Sequence, residues 1–199
     1  TNLLSRAGQT SPLSPEKLVA ETAGHPLFLH ALAHHAIGHG MTNAARLEEA
    51  FLERIGALPA DVLQVLRLSA VMGSPLPLDI AIRASAQSPD QVSRAIAQLR
   101  SEYLLRAATR AAEHGSTSDN IQAVEPYHDR VRETVRERLT PAQRKELHLQ
   151  LALALEARIA PDTESLAFHF ERAGHVDKTF QYALDAAANA TKALAFERA

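Results

Sequence analysis

Apolar positions recur at helical spacing along almost the whole chain, and prolines divide them into separate helices. Ser14-Pro15-Glu16 places a capping residue, a first-turn proline and a first-turn acid at the head of a short helix ending near Gly24. Pro26 opens the next, with Leu29, Leu32, Ala33, Ala36 and Ile37 as its stripe before Gly38 and Gly40 end it. Leu47, Ala50, Phe51 and Ile55 mark a third. Residues 1–56 therefore read as a small helical bundle.

From Leu58 the pattern changes. Pro59 opens a helix with Val62, Val65, Leu66 and Ser69 on one face, Met72-Gly73-Ser74-Pro75 breaks it, and Pro77 opens a shorter helix through Ile80 and Ile82. Ser88 caps a third, with Pro89 in its first turn and Val92, Ala95, Ile96 and Leu99 as its buried stripe. Tyr103 to Ala107 and Ile121 to Val124 alternate as short strands on either side of the polar stretch Glu113 to Asn120. Three helices followed by a hairpin with a loose tip is the order of a winged helix, assigned to residues 57–139. Pro126 then leads into a helix that carries His128.

Thr140-Pro141 starts the last region, 140–199, with Leu147, Leu151, Ala154 and Leu155 on the buried face. Pro161 separates it from a helix bearing Leu166, Ala167, Phe170 and Ala173. Gly174 turns the chain into a final helix with Val176, Phe180, Ala183, Ala187 and Ala190. Small residues such as Ala183, Ala186, Ala187 and Ala190 permit close helix approach, so the region reads as the start of a tetratricopeptide-like (TPR-like) antiparallel array. The predicted class is mainly α with one small β-hairpin. The abrupt start at Thr1 and the finish within a helical pattern point to a segment of a longer chain.

Composition narrows the functions. The 199 residues are 46% hydrophobic and 22% charged, enough apolar material for packed cores. A net charge of -2 argues against a protein that coats nucleic acid or an anionic membrane. Without cysteine there is no disulfide, thiolate metal site or thiol nucleophile. No apolar run approaches the roughly 20 residues of a transmembrane helix, and the N-terminus lacks a secretory signal pattern. A cytoplasmic location is expected.

Two short motifs carry candidate chemistry. In Tyr127-His128-Asp129-Arg130 a histidine at a helix start sets an imidazole beside backbone N–H groups that favour an anion. In Gly24-His25-Pro26-Leu27 a glycine and a proline form a rigid corner before an apolar helix. Each also reads as ordinary helix punctuation, with Asp129 placed favourably against the helix dipole.

The run Glu21-Thr22-Ala23-Gly24-His25-Pro26-Leu27-Phe28-Leu29 resembles the Gly-x-Pro segment in the lid of STAND-type signalling ATPases, the AAA-related ATPases of large bacterial regulators. His128-Asp129 after the expected wing resembles their winged-helix histidine motif. The tail from Leu147-His148 through Phe168-His169-Phe170 to Phe196 is similar to the segment that follows this module, including in regulators fused to Ser/Thr kinase or cyclase domains. The resemblance implies a helical lid over 1–56, a nucleotide-sensing role for Gly24 and Pro26, with the proline against adenine, and contact of His128 with the β-phosphate of ADP. Exchange of ADP for ATP would then release the winged helix. No G-x-x-x-x-G-K-[ST] loop is present, so the phosphate loop and the magnesium carboxylates are expected in an upstream ATPase domain of the same chain, and this segment alone should not hydrolyse ATP.

Other functions are weaker on the residues. His30/His34 and His35/His39 are i,i+4 pairs, but they point to different faces and lack the H-E-x-x-H arrangement, so no metal site is expected. His148 and His169 read as hydrogen-bonding residues between helices. A DNA-binding regulator would read bases with the helix from Pro89 to Arg100, which offers only Arg94 and Arg100, while the hairpin adds Arg106 and Arg110. The mixed-sign run from Arg130 to Arg138 reads as a solvated or interdomain face. A helical-repeat module that binds protein partners and has no nucleotide role is the main rival.

Overall fold

A computed structural model describes residues 52–108 and 122–197, with side chains to residue 193. Residues 1–51 of the expected lid bundle, with Gly24, Pro26 and the five N-terminal histidines, and the expected hairpin tip with Arg110 and Ile121, lie outside the described residues. Residues 52–56 are helical, and Pro59–Ala199 form one compact unit.

That unit is mainly helical with a small three-stranded antiparallel sheet. Its elements are α1 (Ala60–Met72), β1 (Leu76–Pro77), α2 (Leu78–Ser85), α3 (Pro89–Ser101), β2 (Leu105–Ala107), β3 (Ala123–Pro126), α4 (Asp129–Glu137), α5 (Pro141–Glu156), α6 (Thr163–Ala173) and α7 (Val176–Glu197). α1 runs through the middle, and α2, α3, α4, α5, β1 and β3 all pack on it. Its apolar run is correspondingly buried almost all round, with Val65, Leu66, Leu68 and Ala70 wholly covered. The Ser69 hydroxyl, sealed in the same core, donates to the Leu66 carbonyl at 2.8 Å and so keeps its hydrogen bond.

The helix starts follow the sequence logic closely. Ser88 and Gln91 form a reciprocal capping box at α3, and Thr140 and Gln143 form another at α5, each with proline in the first turn. The stripe Val92, Ala95, Ile96 and Leu99 is buried as its spacing requires.

α3 ends in a Schellman turn: the Tyr103 N–H donates to the Arg100 carbonyl and the Leu104 N–H to the Leu99 carbonyl at 2.8 Å. Tyr103 occupies the left-handed position with φ 57°, where glycine is usual. This turn is why the strand expected from Tyr103 starts at Leu105 instead.

The sheet order is β1-β3-β2. Leu76 pairs with Val124, and Arg106 pairs with Glu125, whose side chains also meet as a 2.9 Å ion pair. β1 is a two-residue edge strand hidden in what reads as a helix break, where proline is tolerated. Pro126, expected to lead into a helix, closes β3 opposite Leu105. β1 reaches only Ala123 and Val124, so at that point β3 has a strand on one side alone and no ladder bond is lost.

α5 does not stand apart from the preceding helices. It packs on α1 and α2 as well as on α6, with Gln64 donating to Gln150 at 2.8 Å. Asp79 on α2 takes both arms of Arg158 at 2.6 and 3.0 Å, and Arg83 donates to the Ala157 carbonyl. The arginine holds the Asp79 carboxyl below its ordinary range.

α6 and α7 form an antiparallel hairpin about Gly174, which takes φ 84°. Phe170 is fully buried and stacks on Tyr182 at 5.6 Å, while Lys178 sits 4.9 Å from its ring centre and pairs with Glu156. Tyr182 also donates to Glu156. The apolar residues expected on the packed side of α7, Val176, Phe180, Ala183, Ala187 and Ala190, turn outward instead, Val176 and Phe180 being 64 and 68% exposed, and the neighbouring Leu184 is 70% exposed. Lys178, Thr179, Tyr182 and Ala186 face inward in their place. The anchoring of Tyr182 and Lys178 on Glu156 and Phe170 fixes the rotation of the helix.

Phe170→Ala removes the stacked ring from this core and should lower stability by about 3–5 kcal/mol, read as a fall in the urea midpoint at unchanged slope. Phe168→Ala, two residues away and 41% exposed, should cost about 1 kcal/mol or less in the same assay.

Candidate functional site

His128 is the N-cap residue of α4, placed by β3 immediately before it. Its backbone is extended, φ −141° and ψ 154°, and its carbonyl accepts the first helical bond from the Val131 N–H at 3.0 Å. The imidazole does not cap the helix. Instead it lies edge-on to Tyr127 with ring centres 5.4 Å apart, and Tyr127 meets Tyr103 at 5.7 Å. The left-handed turn at Tyr103 and the last residues of β3 thus bring three rings into one row at the head of α4.

The Asp129 carboxylate accepts from Arg132 at 3.1 Å, so it acts as a first-turn acid and an intrahelical partner. Arg130 approaches Glu133 at 3.7 Å. The expected mixed-sign face of α4 is therefore present, with Asp129–Arg132 and Arg130–Glu133 paired within the helix. Of the three residues expected at a nucleotide site, His128 alone is described. Gly24 and Pro26 lie outside the described residues.

The arginines of the DNA-binding alternative fare differently. Arg94 and Arg100 are exposed on α3, but Arg106 is engaged by Glu125, which withdraws one cation from the hairpin.

A second cluster, only half legible in the sequence, lies between α5 and α6. His148 and His169 are buried and meet with their Nδ1 atoms 2.9 Å apart, so one ring donates and the other accepts. Phe168 packs edge-on against both, at 5.7 and 5.2 Å, and Arg172 lies 5.5 Å from the Phe168 ring centre. Burial pushes both imidazoles down to about 4, and for His148 the neighbouring His169, Arg172, Arg136 and Arg144 add to it. An inter-helix hydrogen bond is the sequence expectation for these histidines; the influence of the arginines on His148 is not part of it. It could have been suspected from Arg144 and His148, an i,i+4 pair on one helix face.

Comparison with protein-family models, with curated proteins and with solved structures finds no match in any of the three. Among the described residues no three His, Cys, Asp or Glu side chains gather as a metal site, and no helix is long and apolar enough to cross a membrane.

The histidine pair makes stability depend on pH in a defined window. Because the folded state binds the proton less readily than the unfolded chain, the full contribution is present above about pH 6.5 and is lost as pH falls toward about 4. Asp79 and Glu156, whose carboxyls are held below their ordinary values by Arg158 and Lys178, lose their contribution only lower still. Urea unfolding at pH 7 and pH 5 should therefore differ by an amount on the order of 1.4 kcal/mol per histidine per pH unit at most. Replacing His169 by Phe should flatten that slope.

Proposed function

We propose that this chain is the regulatory, nucleotide-sensing segment of a STAND-type signal-transduction ATPase, coupling the ADP or ATP state of an attached phosphate-loop domain to rearrangement of a winged helix and a TPR-like array. The observation that carries the reading is the position of His128: a helix-start imidazole set by a β-hairpin that follows three helices, ahead of an antiparallel helical tail. The α1–β1–α2–α3–β2–β3 order supports the winged-helix reading of residues 57–139.

The residues present fit a phosphate ligand. The first-turn N–H groups of α4 and the His128 ring lie at one end of a helix whose dipole favours negative charge. In the full protein a nucleotide supplies the anionic β-phosphate. His128 would hold it through an imidazole N–H, and Gly24 and Pro26 would form the corner against which the adenine rests. Magnesium belongs with the phosphate-loop domain, since no G-x-x-x-x-G-K-[ST] occurs in this sequence. Hydrolysis is not assigned to this segment.

A second reading has its own observation. The exposed Val176, Phe180 and Leu184 share one side of α7 with Ala183 and Ala187, an apolar stripe of the kind that marks an interaction face. The helical array is accordingly the place where protein partners are recognised, whether or not nucleotide state controls it.

In the parent chain carrying its ATPase core, His128→Ala should weaken ADP retention about tenfold or more, the loss expected for one hydrogen bond to a charged group. Unchanged retention, measured as nucleotide co-purifying with the protein, overturns the switch. If Phe180→Asp with Leu184→Asp abolishes association with a partner while His128→Ala leaves both nucleotide and partner binding intact, the interaction-module reading stands alone.

A further inference from the structure

We propose that, granted the interaction-face reading of the helical array, the partner recognised by α7 is a second copy of this chain, whose own α7 lies antiparallel on the first. One side of α7 is already committed within the chain. Lys178 and Tyr182 are held by Glu156 on α5, and Asn189 donates to Thr163 at the start of α6 at 3.4 Å. The opposite side presents Val176, Phe180, Ala183, Leu184, Ala187 and Thr191, all of them exposed. No charged residue interrupts this stripe, and the Thr191 hydroxyl donates to the Ala187 carbonyl at 2.8 Å, so an apolar partner leaves no side-chain donor unpaired.

The order of sizes along the stripe selects the occupant. Val176 and Phe180 stand at one end, Ala187 and Thr191 at the other, and Leu184 lies beside Ala183 in the middle. An antiparallel copy centred between Ala183 and Leu184 sets Phe180 against the partner's Ala187, Val176 against the partner's Thr191 and Leu184 against the partner's Ala183. Each large side chain then meets a small one, twice over by symmetry, as a two-fold interface requires. A parallel copy sets Phe180 on Phe180 and alanine on alanine, which overfills one end and leaves a gap at the other.

Charge points to the same arrangement. Asp177 and Lys192 flank one edge of the stripe near its opposite ends, and neither forms an ion pair among the described residues. Antiparallel pairing brings the Asp177 of each copy alongside the Lys192 of the other and opposes the two helix dipoles. A net charge of -2 leaves little repulsion between whole chains.

The test is sedimentation of the full chain over a range of concentrations, joined to disulfide trapping, for which a chain without cysteine is suited. A concentration-dependent equilibrium of monomer and dimer is expected. Phe180→Asp with Leu184→Asp should weaken the dimer at least about a hundredfold, while Ile159→Asp, an exposed apolar position outside α7, should leave it unchanged. Ala183→Cys should cross-link to itself because it lies beside the two-fold axis. Val176→Cys should not, its two copies being roughly 22 Å apart by helical rise, yet it should cross-link when mixed with Thr191→Cys. All three positions are exposed, and an unchanged urea midpoint of the reduced variants checks that the fold is kept. A monomer at every concentration, self-cross-linking of Val176→Cys equal to that of Ala183→Cys, or a dimer that survives Phe180→Asp with Leu184→Asp overturns the proposal. A monomer that loses a different protein partner in that double variant overturns the self-pairing alone and leaves the interaction face standing.

Discussion

Almost everything in the described structure depends on burying α1. A helix covered by four other helices and two strands cannot present a polar face, and the sequence from Ala60 to Met72 accordingly leaves its polar residues few and lets Ser69 satisfy itself within the turn. Large side chains on such a helix exclude water from all of its neighbours at once, so the sheet, α4 and α5 take their positions from a common surface. The head of α4 inherits its placement in this way. Val131, Thr134 and Val135 are buried on α4, and His128 can stand at the rim because the turns beyond it are fixed.

Legibility in the sequence follows the range of the physics involved. Capping boxes at Ser88 and Thr140, the stripe from Val92 to Leu99 and the turn at Gly174 are local devices, and each lies where its residues say. β1 was hidden because two residues cannot show a period of two, and because Pro77 also reads as a helix start. Tyr103 was hidden because a tyrosine in the left-handed position has no sequence signature, its conformation being set by bonds back to Leu99 and Arg100 and by the Tyr127 ring. The orientation of α7 was misjudged for a related reason. Its apolar stripe and its inward face are nearly independent, and a single-helix pattern cannot say that Tyr182 and Lys178 reach a glutamate on another helix.

The candidate site divides along the same line. His128 at a helix start could be read from residue order alone, since Pro126, His128 and Asp129 lie within four positions. The arginines whose charge reaches His148, Arg136, Arg144 and Arg172, come from three helices, which must pack before they share a field. Arg136 reads from the sequence as part of a solvated or interdomain face, and Arg144 and Arg172 carry no signal of their own. Their meeting is a property of the packing.

The short helix α2 has a consequence of another sort. Through Asp79 and Arg83 it grips Arg158 and the Ala157 carbonyl just past the distal end of α5, while the Thr140 cap and the Arg144 bond to the Arg136 carbonyl hold the near end. A beam supported at both ends does not pivot at either. Swinging α6 and α7 away from the first three helices therefore requires breaking the distal grip as well as bending the chain at Leu139-Thr140. Because the distal grip is an ion pair open to water, its stiffness falls as salt rises.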